Sequence, residues 1–200
     1  MSHTIGILAL QGDFNLHYQV LKKIGENPLL VRTVPELLRC DGLIIPGGES
    51  TSMRRLSRED GMLDELKRYG ESKPVMGTCA GLILLSRKIE NSDEPTLGLI
   101  DITIKRNAYG RQINSFCQKG KIAGLNGNPQ FEMVFIRAPI ITRIGPDVEQ
   151  VGFLDNQVVM VQNQNILGLT FHPELTPDPR IHRYFTNKFL TKKAMTARLS

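Results

Sequence analysis

The chain has 200 residues, 40% of them hydrophobic and 22% charged, with no tryptophan and a formal net charge of +5. That length suits one sizeable domain with a real core, and the composition excludes a low-complexity, collagen-like or disulfide-scaffold chain. The basic residues form short clusters without interleaved aromatics, at Arg54-Arg55, Lys67-Arg68 and from Lys192-Lys193 to Arg198. A solvated face or an acidic protein partner fits them better than nucleic acid.

Three cysteines, Cys40, Cys79 and Cys117, are an odd number with no C-x-x-C pair. This argues against a disulfide framework or a metal site and for a reducing, cytoplasmic setting. The opening Met1-Ser2-His3-Thr4 lacks the basic region of an export signal.

In chain order, Thr4 to Leu10 reads as a buried strand, and Phe14 to Ile24 as a helix with Phe14, Tyr18, Leu21 and Ile24 at helical spacing. Leu29 to Arg32 gives a second strand, Pro35 starts a helical turn, and Gly42 to Ile45 gives a third strand. Strands that are apolar throughout and alternate with helices predict a parallel sheet covered on both faces. The third strand runs into Pro46-Gly47-Gly48-Glu49-Ser50-Thr51-Ser52, where two glycines allow close approach of a ligand to the backbone. On these residues alone a plain turn capped by Ser50 fits better than a binding loop. Helices are expected over Thr51–Leu56 and Met62–Tyr69.

Pro74-Val75-Met76-Gly77-Thr78-Cys79-Ala80-Gly81 then reads as a short strand, a sharp turn and the start of an apolar helix. Glycine two residues before and after a cysteine is the spacing of a nucleophile elbow, where strand and helix pass so closely that a Cβ would clash. A helix beginning at Ala80 would aim free N–H groups at the sulfur and favour thiolate. The competing reading is a small buried hydrophobe, and the local sequence leaves the two balanced. In a doubly wound sheet the loops at strand C-termini share one edge, which places Gly47-Gly48 and Cys79 at a common crevice.

Beyond Arg87, Ile100, Ile102 and Ile104 alternate with polar residues, and Ile113–Gln118 and Phe131–Arg137 look similar, so antiparallel strands are expected. Val158–Val161 and Ile166–Phe171 make a hairpin around Asn163-Gln164-Asn165. A last helix, Arg180 to Leu190, puts Ile181, Tyr184, Phe185 and Phe189 on one side. The hairpin ends at His172-Pro173-Glu174, where the carboxylate can orient the imidazole as a base for Cys79. Taken alone, this pair fits an exposed histidine beside a loop glutamate better. His3, His17 and His182 show no partner pattern and are expected at the surface.

Gly77-Thr78-Cys79-Ala80-Gly81 with His172-Pro173-Glu174 resembles the class I (triad) glutamine amidotransferase family. Leu10-Gln11-Gly12-Asp13, Pro46-Gly47-Gly48-Glu49-Ser50-Thr51, Arg106-Asn107-Ala108-Tyr109-Gly110-Arg111-Gln112 and Phe135-Ile136-Arg137-Ala138-Pro139 resemble, within it, the glutaminase subunits of pyridoxal 5′-phosphate synthases. The resemblance runs nearly end to end. It implies an α/β, doubly wound, flavodoxin-like fold with a mostly parallel sheet, an antiparallel extension in the C-terminal half, and residues 1–200 as one domain. It further implies hydrolysis of L-glutamine to glutamate and ammonia without cofactor or metal, and a hetero-oligomer with a synthase subunit that takes up the ammonia for vitamin B6 synthesis. By motif, Cys79 would be the nucleophile, His172 the acid/base and Glu174 its orienter. The N–H groups of Gly48 and Ala80 would form the oxyanion hole, and Gly48, Glu49, Ser50, Arg106, Ile136 and Arg137 would bind glutamine. The peptide between Gly47 and Gly48 can rotate at small steric cost, which suits activation on docking.

Two other classes share parts of this pattern. A cysteine hydrolase of different specificity would share the elbow but not the glutamine-contacting stretches. A non-enzymatic regulatory subunit should lack a triad member, and all three candidates are present.

Overall fold

The computed structural model describes residues 2–10, 14–48, 61–106, 115–125 and 129–191. The first half alternates strand and helix: β1 (Thr4–Leu8), α1 (Phe14–Lys23), β2 (Asn27–Val31), α2 (Val34–Leu38), β3 (Gly42–Ile45), α3 (Met62–Ser72), β4 (Val75–Thr78) and α4 (Ala80–Leu85). The second half is strand-rich, with β5 (Ser86–Ile89), β6 (Ile100–Lys105), β7 (Ser115–Ile122), β8 (Gln130–Ile136), β9 (Ile140–Ile144), β10 (Glu149–Leu154), β11 (Gln157–Gln162) and β12 (Ile166–Leu169). A 3₁₀ turn (Pro173–Leu175) and α5 (Arg180–Phe185) follow. The helix expected over Thr51–Leu56 lies outside the described residues.

The main sheet has the order β2-β1-β3-β4-β12-β11-β10-β7-β8. Its first five strands are parallel and the rest are antiparallel. The parallel part is buried on both faces because successive residues feed two cores. Leu43, Ile45, Val75 and Ile166 join one core with Leu66 of α3 and Leu82 to Leu85 of α4. Ile44, Met76, Leu167 and Leu169 join the other with Leu21 of α1 and Ile181 and Phe185 of α5. A strand wet on one face would alternate apolar with polar; β3, β12 and Val75 to Gly77 of β4 are apolar throughout because both faces are covered. The period-2 reading of the second half is also met, since Ile100, Ile102 and Ile104 are buried while Lys105 is exposed.

Four features were not anticipated. A separate three-stranded sheet, β5-β6-β9, sits beside the main one. Its β5 reads Ser-Arg-Lys-Ile, which carries no strand periodicity. The bulge in β10 around Gly152 breaks alternation there, and bulges increase local bending and twist. The backbone N–H of His172 donates to Val134 O of β8 at 2.8 Å, so the antiparallel end of the sheet returns to the segment that follows β12. The last helix is not uniform either, since the α-helix gives way to a π turn over Thr186–Leu190.

The position of α4 is set by contact between main chains. A Cβ on Gly81 would collide with the Ile45 carbonyl oxygen, and one on Gly77 would lie 2.8 Å from the Gly81 carbonyl carbon. Gly81→Ala should therefore destabilise the protein by about 1–3 kcal/mol or prevent folding, because backbone cannot yield as a side chain does. Urea unfolding monitored by circular dichroism measures this; an unchanged midpoint would show that the crossing has slack.

Candidate active site

β3, β4 and β12 are neighbouring parallel strands, so their C-terminal ends lie along one edge. That edge carries Gly47-Gly48 after β3, Cys79 after β4 and His172 shortly after β12. Cys79 has φ of 48° and ψ of −103°, a backbone conformation rarely adopted by a residue with a side chain. Strain of this kind, about 1–3 kcal/mol, persists only where the surroundings enforce it. Here the enforcement is the glycine-mediated crossing on one side and, on the other, the Cys79 N–H donating to Leu169 O of β12 at 2.9 Å.

His172 is buried, and Cys79 lies near enough to help raise its pKa. Its Nδ1 is hydrogen-bonded to Glu174 Oε1 at 2.7 Å, which leaves the other ring nitrogen for Cys79. The 3₁₀ turn Pro173–Leu175 brings the carboxylate back under the ring, Pro173 serving as a first-turn residue with no N–H to lose. Gly47 packs on the imidazole so closely that a Cβ there would collide with Cε1. Cys79 Sγ is also 3.7 Å from the Ile136 carbonyl oxygen, a long, weak S–H···O contact supplied by the end of β8.

The other sequence-derived candidates are placed as follows. Gly48 has φ of +147°, a region favouring glycine, in the bend after β3. Ala80 is buried as the first residue of α4. Ile136 reaches the sulfur through its carbonyl, and Arg137 follows with φ of +46°. Arg106, one residue past β6, is gripped by Glu94, with Nη1 donating to Oε1 at 3.1 Å and Nη2 donating to Oε2. Glu49 and Ser50 lie outside the described residues, as do Gln11, Gly12 and Asp13.

The expectation for two histidines is overturned. His17 and His182 are fully buried, not at the surface. His17 Nε2 is 3.3 Å from Glu174 Oε2, and His17 Nδ1 shares a 2.9 Å hydrogen bond with His182 Nε2. Partners 165 positions apart leave no local spacing to read. A weaker signal existed: His17 lies three residues after Phe14 and four before Leu21, on the apolar stripe of α1. His3 is half-buried, its backbone N–H donating to Glu26 Oε2 at 2.7 Å.

The chain is similar to known proteins over most of its length. The model of the SNO glutamine amidotransferase family matches residues 7–191. The pyridoxal 5′-phosphate synthase subunit PdxT of Fervidobacterium nodosum is 47% identical over 182 residues, covering 90% of this chain and 94% of that one. The PdxT of Thermotoga maritima is likewise 47% identical, covering 90% and 96%. A solved structure described as a glutamine amidotransferase superposes with a TM-score of 0.87 at 43% identity, covering 92% of this chain and 97% of the other. The chain belongs to the SNO glutamine amidotransferase family. At 18% identity and a TM-score of 0.68, PurLQS from Thermotoga maritima shares the fold.

In this amidotransferase the site's electrostatics depend on two buried groups. Burial would lower the His172 pKa, but its hydrogen bonds to Cys79 and Glu174 and their charges raise it to about 10 from the ordinary 6.5. Burial would raise Glu174, but the charge of His17 and the hydrogen bond and charge of His172 lower it to about 2 from 4.5. The signs define a window. His172 contributes stability that is complete below pH 6.5 and lost as pH rises through about 10. Glu174 contributes stability that is complete above pH 4.5 and lost as pH falls through about 2. The stability advantage of the wild type over His172→Asn should therefore shrink between pH 7 and 10; urea unfolding at pH 5.5, 8 and 10 measures it. A pH-independent difference would remove the charged imidazole from the resting site.

Proposed function

We infer that this chain is the glutaminase subunit of a pyridoxal 5′-phosphate synthase, hydrolysing L-glutamine to glutamate and passing ammonia to a synthase subunit. The observation that carries this reading is Cys79, held at positive φ between two close-packed glycines, with the His172–Glu174 pair beside it. The relatives named PdxT support the synthase assignment. Residues 1–200 act as one amidotransferase domain. Three free cysteines fit a cytoplasmic setting.

Cys79, its thiol proton held by His172, attacks the carboxamide carbon of glutamine through Sγ, and the oxygen of the tetrahedral intermediate accepts hydrogen bonds from the N–H groups of Gly48 and Ala80. His172 gives its proton to the leaving nitrogen, ammonia departs, and a thioester remains. Water then adds to the thioester with His172 as base, releasing glutamate and restoring Cys79. Glu174 holds the imidazole orientation throughout and stabilises its charged form. Gly48, Glu49, Ser50, Arg106, Ile136 and Arg137 hold the glutamine, the arginines supplying the charge its carboxylate requires. Among the described residues no helix is long and apolar enough to cross a membrane.

Cys79→Ala should abolish ammonia release from glutamine, while Cys117→Ala, at an exposed strand position, should leave it unchanged. Ammonia release by each purified variant with the synthase subunit present decides it; equal losses would remove Cys79 as nucleophile.

The Arg106–Glu94 pair makes recognition testable by itself. If glutamine's carboxylate takes over Arg106 from Glu94, Arg106→Ala should raise KM about tenfold or more with kcat little changed, and Glu94→Gln should leave KM the same or lower it. Steady-state kinetics separates these results, and wild-type constants for Arg106→Ala would remove it from the binding site.

A further inference from the structure

The Cys79–His172–Glu174 arrangement accounts for one oxygen of the buried carboxylate, and the other faces a histidine that no step of the reaction uses. Three elements distant in sequence converge there. Glu174 sits in the 3₁₀ turn after β12, His17 on α1 and His182 on α5. α1 and α5 pack on the same face of the main sheet, where Leu21, Ile181 and Phe185 share a core. The side chains of His17 and Glu174 are fully shielded from water, and His182 is also buried. The histidine rings are 5.1 Å apart, centroid to centroid, and tilted by 53°.

We propose that His17 is a positioning residue for the glutaminase reaction, holding the second oxygen of Glu174 while His182 holds His17. The group order is then Cys79, His172, Glu174, His17, His182, continuous from the crevice to the core.

Proton bookkeeping supports this order. An ionised carboxylate only accepts hydrogen bonds, so His172 Nδ1, hydrogen-bonded to Oε1, carries a proton; His17 Nε2 and Glu174 Oε2 lie 3.3 Å apart, and the proposal places a proton on Nε2 between them. His17 then has Nδ1 left, 2.9 Å from His182 Nε2. Burial and the nearby charge of His17 push His182 down to about 3, so it remains neutral and can share one proton with His17 at that contact. The ring of His17 is held at Nδ1 by its hydrogen bond to His182 and at Nε2 by the close carboxylate, and Glu174 is held at Oε1 by His172 with its second oxygen against His17, so either group turns only by giving up a charged or hydrogen-bonded contact. Outer partners that orient a functional group are typically worth 10- to 100-fold, as for the groups behind metal-bound histidines.

The proposal rests on the glutaminase reading, and the test separates the two. His17→Met keeps roughly the side-chain length without a donor; His17→Gln can place an amide N–H near the position of Nε2. Glutamine hydrolysis is measured for wild type and both variants, each as the full chain with the synthase subunit. The expected result is a 10- to 100-fold fall in kcat for His17→Met with KM within about twofold, and recovery of at least half of that loss, on a logarithmic scale, in His17→Gln. Wild-type kcat in His17→Met, a loss in His17→Gln as large as in His17→Met, or a change confined to KM would overturn the proposal.

A wild-type protein that hydrolyses no glutamine would defeat the glutaminase reading alone. The arrangement is tested separately, and without relying on variants that fold, by nitrogen-15 spectroscopy of the histidine rings in the wild-type chain. A protonated His17 Nε2 whose proton exchanges slowly with water supports the proposal. An unprotonated Nε2, or one in rapid exchange, overturns it.

Discussion

The structure depends on one contact, the passage of α4 across the end of β3 with main chain against main chain at Gly81 and Ile45. Neither side of such a crossing can move aside, so the turn between β4 and α4 must be tight, and Cys79 accepts an unfavourable backbone conformation to make it. The parallel register then does the rest. With β3, β4 and β12 side by side, anything placed just beyond their C-terminal ends meets without a long loop. The strained residue and its partners are therefore consequences of sheet packing, and the apolar runs on both faces hold the packing in place.

Charge burial is the second constraint. A carboxylate removed from water costs several kcal/mol unless its oxygens are satisfied. Glu174 offsets that cost with a hydrogen bond from His172 on Oε1, while Oε2 has no hydrogen bond among the described residues and the ring of His17 lies 3.3 Å from it. The same arrangement raises the His172 pKa to about 10, so the imidazole stays protonated through neutral pH. Stability and reactivity draw on the same contacts, so substitutions at these positions should affect both.

Much of this was legible in the sequence because the signals are local. Val75 to Gly77 and Gly42 to Ile45 are apolar throughout, as doubly covered strands tend to be, and the two glycines around Cys79 report the close crossing directly. His172 and Glu174 are two residues apart, so their pairing follows from one turn of chain. What escaped was non-local. His17 and His182 meet only after α1 and α5 have packed on one sheet face. The return of β8 to His172 likewise joins segments far apart in the chain. β5, with Arg87 and Lys88 at its centre, is a strand because β6 pairs with it, and its own residues give no hint of that.

The imidazole of His172 occupies the volume that a side chain at Gly47 would need, so the main chain of that loop is one wall of the ring's compartment. A wall made of backbone moves only when the peptide itself turns. Any rearrangement of the Gly47-Gly48 peptide therefore changes, in a single motion, both the direction of an amide at the crevice and the room left to the ring. The loop and the imidazole behave as one gear train: whatever displaces the first from outside the crevice is felt by the second without any intermediary.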